Sequence, residues 1–165
     1  MSLPNFDHPV DWSDFTPRDA RPRNESEDAH FAVTFETNYS YTSEDGEYKM
    51  TNIVVPMVTN KRASWVVRAQ QSETLRRHEQ GHFDITAIGA REIHDRMQFI
   101  TASSAGGLRT ELSRLAREVQ TIINDTNIRY DDETDHGTIV SKQNAWESNI
   151  AKVKLETSGI LSDLP

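Results

Sequence analysis

The chain has 165 residues, 35% hydrophobic and 27% charged, with a formal net charge of −8 and no cysteine. That length suits one domain with a real core, and the acidity argues against the clustered basic footprint of a nucleic-acid binder. No apolar run approaches the roughly 20 residues of a membrane span, and without cysteine any bound metal must be held by histidines or carboxylates.

The N-terminus, Met1-Ser2-Leu3-Pro4-Asn5-Phe6, has neither a basic region nor an apolar stretch, so no signal peptide is expected in it. Residues 1–28 read as an irregular arm, with Trp12 and Phe15 as anchors and one short strand around Val10–Phe15. Pro17 to Asn24 reads as exposed loop. Residues 29–165 are expected to form a single domain.

From His30 the pattern changes. Phe31, Val33 and Phe35 alternate with smaller or polar residues, which predicts a half-buried strand running toward Tyr41. Asp45-Gly46 is a strong hairpin signal. A second strand follows over Tyr48–Val58, its far end confined to an edge or bulge by Pro56. Ser64 to Arg68 makes a third. The three form an antiparallel meander that leads into a helix, with Ser64–Arg68 as the edge strand beside it. Such an edge could pair with an extended peptide substrate.

Ser72 is a plausible N-cap with Glu73 in the first turn, and the helix is expected over about Glu73–Phe99. In its first half lies His78-Glu79-Gln80-Gly81-His82, an H-E-x-x-H sequence. Positions i and i+4 share a helix face, so two imidazoles can grip one ion while Glu79 stands ready to take a proton from a metal-bound water. A shuffled chain of this composition would contain the motif about once in sixty, so its context matters. Gly81 costs up to about 1 kcal/mol relative to Ala in a helix, which implies a close approach there by the sheet or by a distant loop.

Ser103 to Gly107 breaks the helix. A second helix carries Leu108, Leu112, Leu115, Val119 and Ile122 as an apolar stripe, with Glu111 and Glu118 off it and facing water. A polar loop, Asn124–Gly137, follows. The third helix carries Ile139, Gln143, Trp146, Ile150 and Val153, with Thr134 or Asp135 as candidate N-cap. Trp65 and Trp146 read as core anchors. The fold class is α+β: a meander, the motif helix and two further helices, a layout that resembles the zincin architecture.

A catalytic zinc site usually takes three protein ligands. The extended motif that supplies a third histidine six residues on is absent, because that position is Ile88. His94 lies 12 residues past His82, about 18 Å along a straight helix, and reads as a surface histidine. His136, in the loop Tyr130-Asp131-Asp132-Glu133-Thr134-Asp135-His136-Gly137, can return to the motif helix and is the candidate third ligand. Asp131 or Asp135 could orient His136 or replace it. Tyr130 could donate a hydrogen bond to the oxyanion of a tetrahedral intermediate, or simply pack. Asp84 could contact a group behind the ligands or face water.

HEQGHFDI at His78–Ile85, YDDETDHG at Tyr130–Gly137, Gln143, Trp146, Trp12-Ser13-Asp14-Phe15 and Ser64-Trp65-Val66 together resemble a bacterial family of unknown function. It is numbered nine hundred and twenty-two among domains of unknown function and described as predicted secreted zinc-dependent proteases. The resemblance spans about residues 10–150 and implies a zincin-like peptidase, with His78, His82 and His136 on Zn2+ and Glu79 as general base. It also implies export to the periplasm or beyond, whereas the missing signal leaves the cytoplasm open.

The expectation is a zinc metallopeptidase, with Glu79 and Tyr130 as candidate catalytic residues and a peptide or protein as partner. The alternatives are a zinc-containing module that binds peptides without cutting them, and a zinc hydrolase of some other amide.

Overall fold

The computed structural model describes residues 2–165, an α+β arrangement in chain order. The elements are β1 (Thr16–Arg18), β2 (Ala29–His30), β3 (Val33–Phe35), β4 (Asn38–Glu44), β5 (Glu47–Val54), β6 (Met57–Thr59), β7 (Trp65–Val67), α1 (Glu73–Met97), β8 (Thr101–Ala102), α2 (Ala105–Thr134) and α3 (Val140–Leu155). No described helix is long and apolar enough to cross a membrane.

The strands form three small sheets rather than one meander: β1-β7-β2, β3-β6 and β4-β5-β8. The first predicted strand breaks into β3 and β4. The second breaks around Val55-Pro56 into β5 and β6, which serve different sheets. Proline has no N–H to continue a ladder, so the chain changes partners there. The β4–β5 hairpin turns at Asp45 (φ 48°) and Gly46 (φ 79°), the left-handed pair such a two-residue turn requires.

The predicted edge strand proves to be a centre strand. Thr16–Arg18 pairs with β7 in parallel on one side and Ala29–His30 antiparallel on the other. Trp65, Val66 and Val67 are all buried, the unbroken apolar signature of a covered strand. A partner peptide therefore has no access to Ser64–Arg68. The edges of this sheet are β1 and β2.

The arm is built into the core. Val10 and Phe15 are each 1% exposed. Phe15 stacks on Phe31 at 4.9 Å, and Phe31 meets Phe83 of α1 at 6.3 Å. Burying each such ring stabilises the fold by roughly 1.5–3 kcal/mol. The strand expected over Val10–Phe15 is a 3-10 turn, because Asp11 accepts from the Ser13 amide and Asp14 reaches back to the Asp11 amide. The strand itself comes later, within the stretch read as loop.

Ser72 caps α1 by accepting from the Leu75 amide. Two glycines let α2 lie close along α1. A Cβ at Gly81 would stand 2.6 Å from the Tyr130 ring, and one at Gly89 2.5 Å from Ile123 Cδ1. α2 starts earlier than its apolar stripe, capped by Ser104, and ends later, at Thr134. Ile123, Thr126, Tyr130 and Thr134 are buried along the extension, so the stripe passes through residues whose polarity hides it. α3 begins after Ile139, and neither Thr134 nor Asp135 caps it. Trp65 and Trp146 are both buried.

Candidate metal centre

The centre lies where α1, the end of α2, the start of α3 and the β2 edge converge. His78 and His82 project one turn apart from α1, and their Nε2 atoms face each other at 3.1 Å. Nitrogens bound at about 2.0 Å in a tetrahedral zinc site stand roughly 3.3 Å apart, so the two rings already hold the spacing of shared ligands.

Their other nitrogens are tied down by amides. His78 Nδ1 meets Gln143 Oε1 at 3.3 Å, and His82 Nδ1 meets Asn127 Oδ1 at 2.8 Å. An amide oxygen only accepts, so both Nδ1 atoms donate. The orientation of Gln143 follows from its own network: its Nε2 donates to the Tyr130 hydroxyl at 2.7 Å and to Glu147 at 2.8 Å. With Nδ1 donating, each ring is oriented to offer its Nε2 to the centre: to the Asp131 carboxylate as a protonated donor without metal, and to a metal as a lone pair once that proton leaves.

Asp131, on the last turns of α2, places Oδ1 3.0 Å from each of these Nε2 atoms. His136 follows on a left-handed turn, Asp135 (φ 47°), His136 (φ 51°) and Gly137 (φ 84°), which swings the chain back toward α1. A Cβ at Gly137 would come within 3.0 Å of His78 Cβ, so only glycine lets the turn sit this close. His136 Nδ1 is buried with no hydrogen-bond partner, 3.6 Å from Asp131 Oδ1. His78, Asp131 and His136 offer ligand atoms within 4.8 Å of one another. A carboxylate set among imidazole nitrogens needs a positive charge beside it, which an imidazole proton or a metal ion can supply. The donor set is of the kind that binds zinc.

The local charges agree. Burial disfavours charge on His82, but the hydrogen bond and charge of Asp131, with Glu79 nearby, outweigh it and push the imidazole up to about 9. Burial lowers His78. Burial alone would raise Asp131, yet its bonds and charge interactions with His78 and His82 hold it well below the usual carboxylate range. A lone proton on His82 thus partly does the work of a cation here.

Glu79 is 3% exposed. Burial pushes its carboxyl up to about 7, although the His82 charge and the Phe31 backbone amide pull the other way. It lies on the wall shared by two cavities. One of about 170 Å³ also involves Glu27, Ala29, Leu75, His78 and His136; the other, of about 300 Å³, involves Glu27, Phe31, His82, Asn124 and Asn127. The β2 edge and its flanks run along both.

Tyr130 is wholly buried behind the centre. Its ring stacks on His78 at 4.7 Å and its hydroxyl donates to the His78 carbonyl at 3.2 Å. That geometry is one of packing and positioning, since the hydroxyl faces away from the cavities. Asp84 pairs with Lys154 at 2.8 Å and ties α1 to α3, touching no histidine of the centre. Asp135 accepts from Thr138 on its own turn. His94 is 4% exposed, not a surface histidine: it accepts from the Ser2 amide and contacts Asp95. Glu111 and Glu118 pair with Arg114 on the surface. Asn127 and Gln143 were not singled out from the sequence as partners of the ligands. Gln143 lay on the apolar stripe of α3, and a glutamine repeated at core spacing was the available signal.

A family model described as "Bacterial protein of unknown function (DUF922)" matches residues 15–137, from the end of the arm through the His136 turn. No curated protein and no solved structure matches the chain.

Proposed function

This chain belongs to the DUF922 family of bacterial proteins of unknown function, and we propose that it is a zinc-dependent peptidase of zincin-like layout. The observation that supports the reading is the gathering of His78, His82 and His136 around Asp131 Oδ1, with the two Nε2 atoms 3.1 Å apart and His136 Nδ1 buried without a hydrogen bond. Zinc held by these three residues would polarise the scissile carbonyl and bring a water's pKa toward neutrality. Glu79, buried beside them and raised toward 7, is poised to take the water's proton and deliver it to the departing amine. Asn127 and Gln143 hold the His82 and His78 rings in the required tautomer. The free edge of β2 lies along both cavities, so an extended peptide would pair there rather than at Ser64–Arg68.

One observation favours a second reading, a zinc module that binds without cutting. Asp131 adds a fourth protein donor, and four-donor zinc sites are usually structural. Elemental analysis on untagged protein, paired with cleavage of an unfolded protein substrate, separates the two. The peptidase reading expects about one zinc per chain, cleavage by wild type, and loss of cleavage with zinc retained in Glu79→Gln. Bound zinc with no cleavage by wild type leaves the binding module; no zinc after reconstitution removes both.

A further inference from the structure

We propose that Asp131 is a fourth protein ligand at this centre and a displaceable one, the side chain that gives way when a substrate oxygen needs its place. The inference rests on the zinc reading above and concerns a residue that the three-histidine set does not include.

Two independent features point to it. Asp131 Oδ1 is equidistant, at 3.0 Å, from His78 Nε2 and His82 Nε2, and 3.6 Å from the orphaned His136 Nδ1. It therefore stands among the three nitrogens rather than behind one of them, where a carboxylate that merely orients a ligand would stand. The buried His136 Nδ1, meanwhile, makes no hydrogen bond, although carboxylate oxygens of Asp131 and Glu27 stand 3.6 and 3.8 Å away.

The four groups are not equally anchored. His78 is pinned by Gln143 and stacked on Tyr130, and His82 is pinned by Asn127. His136 sits on a turn whose glycine packs against His78. The hydrogen bonds and ion pairs of the Asp131 side chain, by contrast, all pass through Oδ1, and the side chain lies on the wall of the larger cavity. With two χ angles and open space beside it, the carboxylate can rotate away while the three rings stay. Its departure frees a position on the cavity side, next to Glu79. A resting centre closed in this way is guarded from adventitious chelators, and an incoming substrate must compete with Asp131.

The test compares wild type, Asp131→Asn and Asp135→Asn, with zinc, cobalt(II) and acetohydroxamate as probes. Asn is nearly isosteric on this helix, and circular dichroism checks that each variant is folded. Asp135→Asn, one turn on and bonded to Thr138, is the control. Expected are a zinc affinity about tenfold or more weaker in Asp131→Asn, a changed cobalt(II) visible spectrum, and acetohydroxamate binding to the loaded variant about tenfold tighter than to loaded wild type. Asp135→Asn should match wild type throughout. Wild-type zinc affinity and spectrum in Asp131→Asn would overturn the ligand assignment. Weaker zinc with unchanged or weaker hydroxamate binding would overturn displaceability. A wild-type protein that takes up no zinc would instead overturn the zinc reading on which the inference rests.

Discussion

Tyr130 lies flat against α1 where residue 81 has no side chain: a Cβ on Gly81 would stand 2.6 Å from the ring carbon that bears the hydroxyl. The glycine inside the motif thus serves the helix contact behind the two histidines. Tyr130 in turn backs His78 by stacking and by its bond to the His78 carbonyl.

Gly81→Ala therefore pits helix propensity against overlap. Alanine gains up to about 1 kcal/mol, but overpacking a rigid ring costs about 1–3 kcal/mol, and Tyr130 is held by Gln143 and cannot step aside. Net destabilisation in urea titration is expected, together with weaker zinc binding because His78 moves. Gly106→Ala, in the first turn of α2 with only ordinary contact nearby, should be neutral or stabilising by up to about 1 kcal/mol.

On the proposed zinc reading, the amides that orient His78 and His82 should matter to metal affinity without touching metal. Asn127→Leu and Gln143→Leu are each expected to weaken zinc binding by about 10–100-fold, measured by competition with a chromophoric chelator. Gln143→Leu should also lower stability by about 1–3 kcal/mol, because it strands the buried His78 Nδ1 and removes the donor to the Tyr130 hydroxyl. Equal zinc affinity in both variants would mean that the rings are held by packing alone.

Glu79 gives a pH signature in the metal-free protein. Its carboxyl is raised from 4.5 to about 7, so between those values the folded state keeps a proton that the unfolded chain releases. Stability falls as pH rises through that window, and the full cost is present above 7. Glu79→Gln should match wild type near pH 4 and exceed it at pH 8 by on the order of 2–3 kcal/mol, read from urea midpoints at the two pH values. A constant difference across pH would contradict the burial of an ionisable Glu79.

His136 and His94, the two histidines weighed as third ligand, should behave oppositely. His136→Ala is expected to lose zinc affinity by about tenfold or more with little effect on metal-free stability, because Nδ1 makes no hydrogen bond in the protein. His94→Ala should leave zinc affinity unchanged while destabilising the fold by about 1–2 kcal/mol, since His94 is buried far along α1 and bonded to Ser2.

The sequence by itself determined what periodicity and local chemistry can encode. An H-E-x-x-H on a long capped helix, an Asp-Gly hairpin, three helices and an α+β order all follow from spacings within one element, where the physics is near-neighbour. The pairing of His78 and His82 belongs here, because a helix brings i and i+4 together whatever surrounds it.

Tertiary structure alone decided the rest. Ser64–Arg68 reads as a strand from composition, but whether a strand is central or edge depends on what pairs beside it, and that partner, Thr16–Arg18, lay in a stretch with the composition of a loop. The end of α2 was hidden because the residues buried along it include Thr126, Tyr130 and Thr134, whose polar groups mask the stripe. Gly81 promised a close approach without naming its neighbour. Asp131, Asn127 and Gln143 come to His78 and His82 from 45 to 65 positions away, and no local pattern carries that information. Side chains that converge on one point from three helices are selected by the packing of those helices, which is where this centre is made.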